Sequence, residues 1–352
     1  MSRRLSMVLL CTLFILFAGP ALSAKGQGSD QAEVIKVGIY LIRAGALDIS
    51  TGAIDVDFYI EFTCPTACGD KAEFEILNGV TKSKPALLPD PTNPDADKQP
   101  TYRVAATVFQ NVNLRKYPFD SHDIKIVIES SNYDESTLIY EVNQAKTVID
   151  PNVFILGWDF DSRPPKASAT IVDQYYEAWN LYYPRYVFTT HISKPALAGW
   201  MKGLLPAVII VLGSLFSLFI TTKNVGNRVA IITSALIASV LYHMNFTSRV
   251  PPIGYLTYAD TFMIINYFVL LISLSITIWI IRVDSAPDKP APAAPEKKPA
   301  SRKKDIPVTA PQPAAPSKQE LIARVNKLEL TYVPALWLVL QILNYILVMN
   351  AK

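Results

Sequence analysis

Val229-Ala230-Ile231-Ile232-Thr233-Ser234-Ala235-Leu236-Ile237-Ala238-Ser239-Val240-Leu241-Tyr242-His243-Met244-Asn245-Phe246 decides the fold. The run is close to the roughly 20 apolar residues that a helix needs to cross a 30 Å hydrocarbon layer. Serines, a threonine, a histidine and an asparagine nevertheless interrupt it. On a 3.6-residue period Asn227, Ala230, Ser234, Ile237, Leu241 and Met244 share one stripe. The stripe is small or polar at its start and bulky further on. Small residues let helices approach closely, so it reads as a packing face. It reads equally as a face turned toward water, because a helix ringed by lipid has no use for such a pattern.

Three further apolar runs flank this one: Trp200 to Ile220, Tyr258 to Ile281, and about Tyr332 to Met349. The sequence therefore predicts membrane helices over 196–220, 226–247, 257–281 and 328–350. Hydrophobic residues make up 50% of the chain and charged residues 18%, a composition that suits such spans. Lys223 and Arg228 lie between or beside the first two spans, and about ten basic residues lie between Arg282 and Lys327. Both basic links fall on the cytoplasmic side if the positive-inside rule holds, which puts both chain ends outside. The 282–327 link is dense in Pro, Ala and Lys and is expected to be a disordered cytoplasmic linker.

The first half has a different period. Ile54 to Phe62 alternates apolar and polar residues, as does Asp123 to Glu129, and Val34 to Tyr40 is rich in β-branched and aromatic residues. Clusters such as Pro89-Asp90-Pro91-Thr92-Asn93-Pro94-Asp95 punctuate the runs. Strands with one apolar face bury it by pairing two sheets, so residues 25–195 are expected to form an immunoglobulin-like β-sandwich. Residues 1–24 read as a cleaved signal peptide: Arg3 and Arg4, then apolar Val8 to Phe17, then small residues to Ala24. Cleavage removes Cys11 and leaves Cys64 and Cys68 in an oxidising compartment, where a local disulfide is expected.

Several function classes are excluded. A net charge of +3 is too small to argue for nucleic acid. No nucleophile–base–acid set, no His-Glu-x-x-His and no phosphate loop is present, so neither an enzyme nor a cofactor is implied. Four unequal spans do not show the paired sets usual in transporters. The rival that remains is a pore-less, membrane-anchored binding or signalling module. Its output domain would have to come from 282–327, which is too short and Pro-rich.

Leu114-Arg115-Lys116-Tyr117-Pro118-Phe119-Asp120-Ser121 resembles the Tyr/Phe-Pro-Phe-Asp signature of the pentameric ligand-gated ion channel (Cys-loop receptor) family. Further matches follow in order. They are Gly157-Trp158-Asp159, Leu204-Leu205-Pro206, Ser234 to Ala238, Val250-Pro251-Pro252, Tyr255 to Tyr258, and Pro334. No cysteine follows Cys68, so the bracketing disulfide of animal members cannot form; this resembles the bacterial branch. Leu87-Leu88-Pro89-Asp90 departs from the family, which usually has a tryptophan three residues before the acid.

The resemblance implies a homopentamer, multi-pass in a bacterial inner membrane, with its sensor domain in the periplasm. It implies that the stripe from Asn227 to Met244 lines a pore, gated by greasy rings at Ile237 and Leu241. The permeant species would be small inorganic ions, with a lean toward monovalent cations, although Asn227 and Arg228 replace the usual acidic ring. Its other partners would be lipid and a small-molecule agonist bound between subunits. Tyr175, Tyr176, Trp179, Tyr182 and Tyr183 crowd the covering loop, and Glu129, Tyr133 and Asp134 fall on the facing loop. Such a cage suits an amine, held by ring faces and a carboxylate. A proton is the rival trigger, with His122, His191 and His243 as candidates. Arg115, Phe119, Asp120, Lys194 and Pro251 would couple sensor to pore, Phe119 meeting Pro251 and Asp120 pairing with Lys194.

Overall fold

The structure is a computed structural model and describes residues 32–88, 92–221, 224–248, 250–287 and 317–350. The expected signal peptide, Cys11, Pro89, Asp90, Lys223 and residues 288–316 lie outside the described residues.

Alternating side chains build the first half. Strands β1 (Glu33–Ala44), β2 (Ala53–Thr63), β4 (Gly79–Ser83), β5 (Thr101–Phe109), β7 (Leu138–Val142) and β8 (Val148–Ile149) form one sheet, in the order β4-β5-β2-β1-β7 with β8 beside β1. Strands β3 (Phe74–Ile76), β6 (Ser121–Ser130), β9 (Asp159–Phe160), β10 (Ser168–Tyr176) and β11 (Leu181–Ser193) form the other, in the order β10-β11-β6-β3 with β9 beside β11. Ile35, Val37 and Ile39 of β1 and Ile54, Phe58 and Ile60 of β2 face Ile124, Ile126, Tyr186 and Phe188 across a single core. Period-two patterning sends the polar neighbours outward, so the predicted β-sandwich stands. Cys64 and Cys68 are bonded in the loop after β2.

The second half is four helices, each long and apolar enough to cross a membrane. They are α1 (Ala196–Phe219), α2 (Val225–Thr247), α3 (Tyr258–Ser285) and α4 (Lys318–Asn350). α1 is not uniform: Gly199–Leu204 winds as a π-helix immediately before Pro206. Proline offers no N–H and crowds the carbonyl four residues back, which accounts for the widened turn. Thr257 and Asp260 form a reciprocal capping box that starts α3. α2 packs on α1 and α3, and α4 packs chiefly on α3.

One boundary needs correction. α3 reaches Ser285 and α4 begins at Lys318, so helix occupies both edges of the stretch expected as linker. Proline-rich composition dominated the sequence reading there. It masked an amphipathic turn in which Ile322 and Val325 pack against Ile276, Ile280 and Val283.

Candidate functional site

Three regions meet the expectations on different terms: the α2 stripe, the β10–β11 hairpin, and the junction between the sandwich and the helices.

Every residue of the α2 stripe is exposed in the subunit: Asn227, Ala230, Ser234, Ile237, Leu241 and Met244. Ile237 and Leu241 are each 62% exposed and Met244 is 65% exposed. The opposite face, with Arg228, Ile232, Ala235, Ser239 and Phe246, is buried against the other helices. The stripe is therefore not a packing face within the subunit. Arg228 is the one charged side chain in α2, and it points away from the stripe toward Glu329 and Asn326 of α4.

The hairpin turns at Asn180, whose φ of 54° lies in the left-handed region that asparagine tolerates. Its rings stack on one another. Tyr175 and Tyr182 lie 4.9 Å apart, Tyr176 and Trp179 5.3 Å, and Tyr176 and Tyr183 5.5 Å. Trp179 is 64% exposed, and Tyr175 and Tyr182 are exposed as well. The expected carboxylate arm has partners within its own chain. Glu129 is buried and already holds a cation of its own chain: Arg185, its cross-strand partner in the β6–β11 ladder, donates to it through Nε. Tyr176 Oη donates to Glu129 Oε1 at 2.8 Å, and Arg185 Nη2 donates to Tyr176 Oη at 2.8 Å. The guanidinium also lies 5.6 Å from the Tyr176 ring centre. Burial, then the bond to Glu129, push the Tyr176 phenol above its usual value. No open carboxylate is left at Glu129 for an exogenous ammonium. Tyr133 is likewise engaged, donating to Asp70 Oδ2 at 2.8 Å, and Asp134 caps its own turn at Ser136.

The junction is built on the loop between β5 and β6. Asp120 is buried there, with Oδ1 3.3 Å from Lys194 Nζ and Oδ2 3.1 Å from His122 Nε2. Lys194 also sits over the rings of Tyr117 at 4.7 Å and Trp158 at 5.0 Å. The apolar partners differ from expectation. Phe119 packs on Trp200 at 5.7 Å and Tyr258 at 5.8 Å, while Leu114 and Tyr117 cluster with Val250, Ile253 and Phe246 around the link that carries Pro251. Pro118 and Phe119 point toward the widened turn of α1, where Gly199 and Gly203 make room: a Cβ there would come within 2.9 Å of the Phe119 ring and 3.1 Å of Pro118. Tyr117 meets Phe246 of α2 at 5.2 Å, a direct contact from loop to stripe-bearing helix.

Sequence reasoning missed the backbone part of this junction. Tyr258 N donates to Arg115 O at 2.8 Å and Ala259 N to Tyr117 O at 3.1 Å. These are the first orphan donors of α3, satisfied by the sensor loop instead of water. Tyr255 Oη accepts from Leu114 N at 3.0 Å, and Arg115 stacks over the Tyr255 ring at 5.2 Å. Backbone carbonyls have no residue-type signature, so only the tyrosine could have been flagged.

The three histidines all face carboxylates. His122 bonds to Asp120, His191 Nδ1 lies 2.7 Å from Asp123 on the exposed surface, and His243 lies 3.0 Å from Asp260 and 2.9 Å from Tyr267. No cluster of three metal-ligating side chains occurs among the described residues.

No protein-family model matches the chain. It is 23% identical over 285 residues to a proton-gated ion channel of Gloeobacter violaceus, covering 75% of this chain and 77% of that protein. It is 23% identical over 195 residues to an acetylcholine-gated chloride channel subunit of Caenorhabditis elegans, covering 53% of this chain and 40% of that protein. It is 21% identical over 169 residues to a pH-sensitive chloride channel of Anopheles gambiae, covering 47% of this chain and 27% of that protein. The chain spans less than half the length of either animal relative. Its homologues are thus proton-gated and ligand-gated ion channels, as the ordered motifs indicated, and with four spanning helices it is a multi-pass membrane protein.

Proposed function

We propose that this homologue of the ligand-gated ion channels is one subunit of a homopentameric channel, with five copies of α2 around a common axis. Asn227, Ala230, Ser234, Ile237, Leu241 and Met244 line the path, and rings of Ile237 and Leu241 close it by excluding water. The observation that carries this reading is the exposed α2 stripe: all six residues from Asn227 to Met244 that share it are left uncovered by the subunit, while the opposite face packs on the other helices. The stripe presents no charge, so we expect weak discrimination between small ions, short of the cation preference that the family resemblance favoured.

The trigger we favour is the proton rather than an amine. Arg185 supplies the cation that Glu129 and Tyr176 would otherwise take from solution. His122 and His243, by contrast, bond to carboxylates at the junction and between α2 and α3, and histidine is the side chain whose ordinary range lies nearest neutrality. The Gloeobacter relative, named for proton gating, adds weight. Recording from the purified protein in planar bilayers tests this. Steps to acid pH should evoke current and small primary amines at constant pH should not; current evoked by amines alone would reverse the assignment.

A further inference from the structure

Arg228 and Glu329 are both 0% exposed, and Arg228 Nη2 donates to Glu329 Oε2 at 2.8 Å. Arg228 Nη1 donates to Asn326 Oδ1 at 2.7 Å. Asn326 and Glu329 lie one turn apart on α4, so the planar guanidinium is gripped from two directions. The pair joins two helices that share little else: α2 packs on α1 and α3, while α4 packs on α3 and the last turn of α1. Besides the apolar cluster around Val225 and Ile322, one long side chain from the first turn of α2 therefore makes the polar bridge.

A charge pair inside a bilayer protein is expensive, and apolar residues of similar volume would join the helices at lower cost. Nor is this pair fully satisfied, since Arg228 Nε and Glu329 Oε1 have no partner among the described residues. A buried pair can instead select one arrangement of the helices among several. α4 also turns a broad apolar face outward, with Leu338, Val339, Ile342, Ile346 and Leu347 exposed.

We propose that Glu329 is a positioning residue for the pore: through Arg228 it fixes the first turn of α2, so the helix facing lipid sets the inner mouth. This rests on the reading of α2 as the pore helix. The consequence is local. Loss of the grip should disturb the Asn227 end of α2 and spare the Met244 end, which the junction holds through Phe246.

The test uses the full chain in lipid vesicles, with one nitroxide per subunit, at Asn227→Cys or at Met244→Cys. Distances between subunits are read by pulsed dipolar spectroscopy. Glu329→Gln and Arg228→Gln should each shift or broaden the 227 distances by about 1–2 Å, the scale of helix displacements at interfaces. The 244 distances should hold. Exchanging the charges, Arg228→Glu with Glu329→Arg, should restore the parent distribution, which a purely structural loss would not do. Unchanged 227 distances in both single variants overturn the proposal while leaving the pore reading intact. Absence of any inter-subunit distance in the parent removes the pore reading itself. Should a single variant not be recoverable, Asn326→Ala removes one arm of the grip, keeps the charges paired, and must move the same label.

Discussion

Asp120 holds Lys194 at 3.3 Å with one carboxylate oxygen and His122 at 3.1 Å with the other. A carboxylate buried at the seam between sandwich and helices thus ties the loop after β5 to the residue that leads into α1. Its position next to Tyr117, which touches Phe246 of α2, makes it the hub of the junction.

Asp120→Ala should impair opening without removing the protein from the membrane. A coupling worth about 1–3 kcal/mol between the two states corresponds to about a 5- to 150-fold change in open-state population. Currents normalised to surface protein check this. Lys194→Arg should be intermediate, because the guanidinium keeps the charge but must refit between Tyr117 and Trp158.

If protons open the channel, the histidines will not contribute equally. His122→Gln and His243→Gln should displace the pH of half-activation, since each loses a contact to a carboxylate within the junction or the helix bundle. His191→Gln should leave it in place, because that pair with Asp123 is exposed and screened. Equal displacement by all three would point to a general electrostatic effect.

Ile237→Ser and Leu241→Ser should leak at rest. Each places a hydroxyl in a ring that closes by excluding water, so resting conductance should rise in both and most in the double variant. Val240→Ser, on the edge of the exposed face, should change resting conductance little.

Arg185→Gln strands the buried Glu129 carboxylate and should destabilise the sandwich by about 3 kcal/mol, read as a lower unfolding temperature. Trp179→Ala, at an exposed loop position, should stay within about 0.5 kcal/mol of the parent. If small amines then stabilise Arg185→Gln but not the parent, the seat built by Glu129 and Tyr176 accepts a cation once its own is removed.

Much of this was legible in the sequence, for reasons of periodicity. Ile54 to Phe62 alternates because each strand has one buried face, and the α2 stripe repeats every three or four residues because a helix has one open face. Asp120 and Lys194 were found through motif order. The arrangement of Glu129 was not legible: whether a carboxylate meets a ligand or its own chain's Arg185 depends on strand register, which composition does not encode. The Arg228–Glu329 pair, separated by 101 residues, was hidden for the same reason. So was the helical start of α4, where proline-rich neighbours outweighed a short amphipathic turn.

The most direct test of the account is aqueous access along α2. Single cysteines at Ser234, Ile237 and Leu241, and controls at Ala235 and Ser239, are exposed to a charged thiol reagent during activation, with current as the readout. The account predicts that modification at 234, 237 and 241 alters the current and that the two controls on the packed face do not react. Reaction at 235 and 239 with silence at 234, 237 and 241 would contradict it.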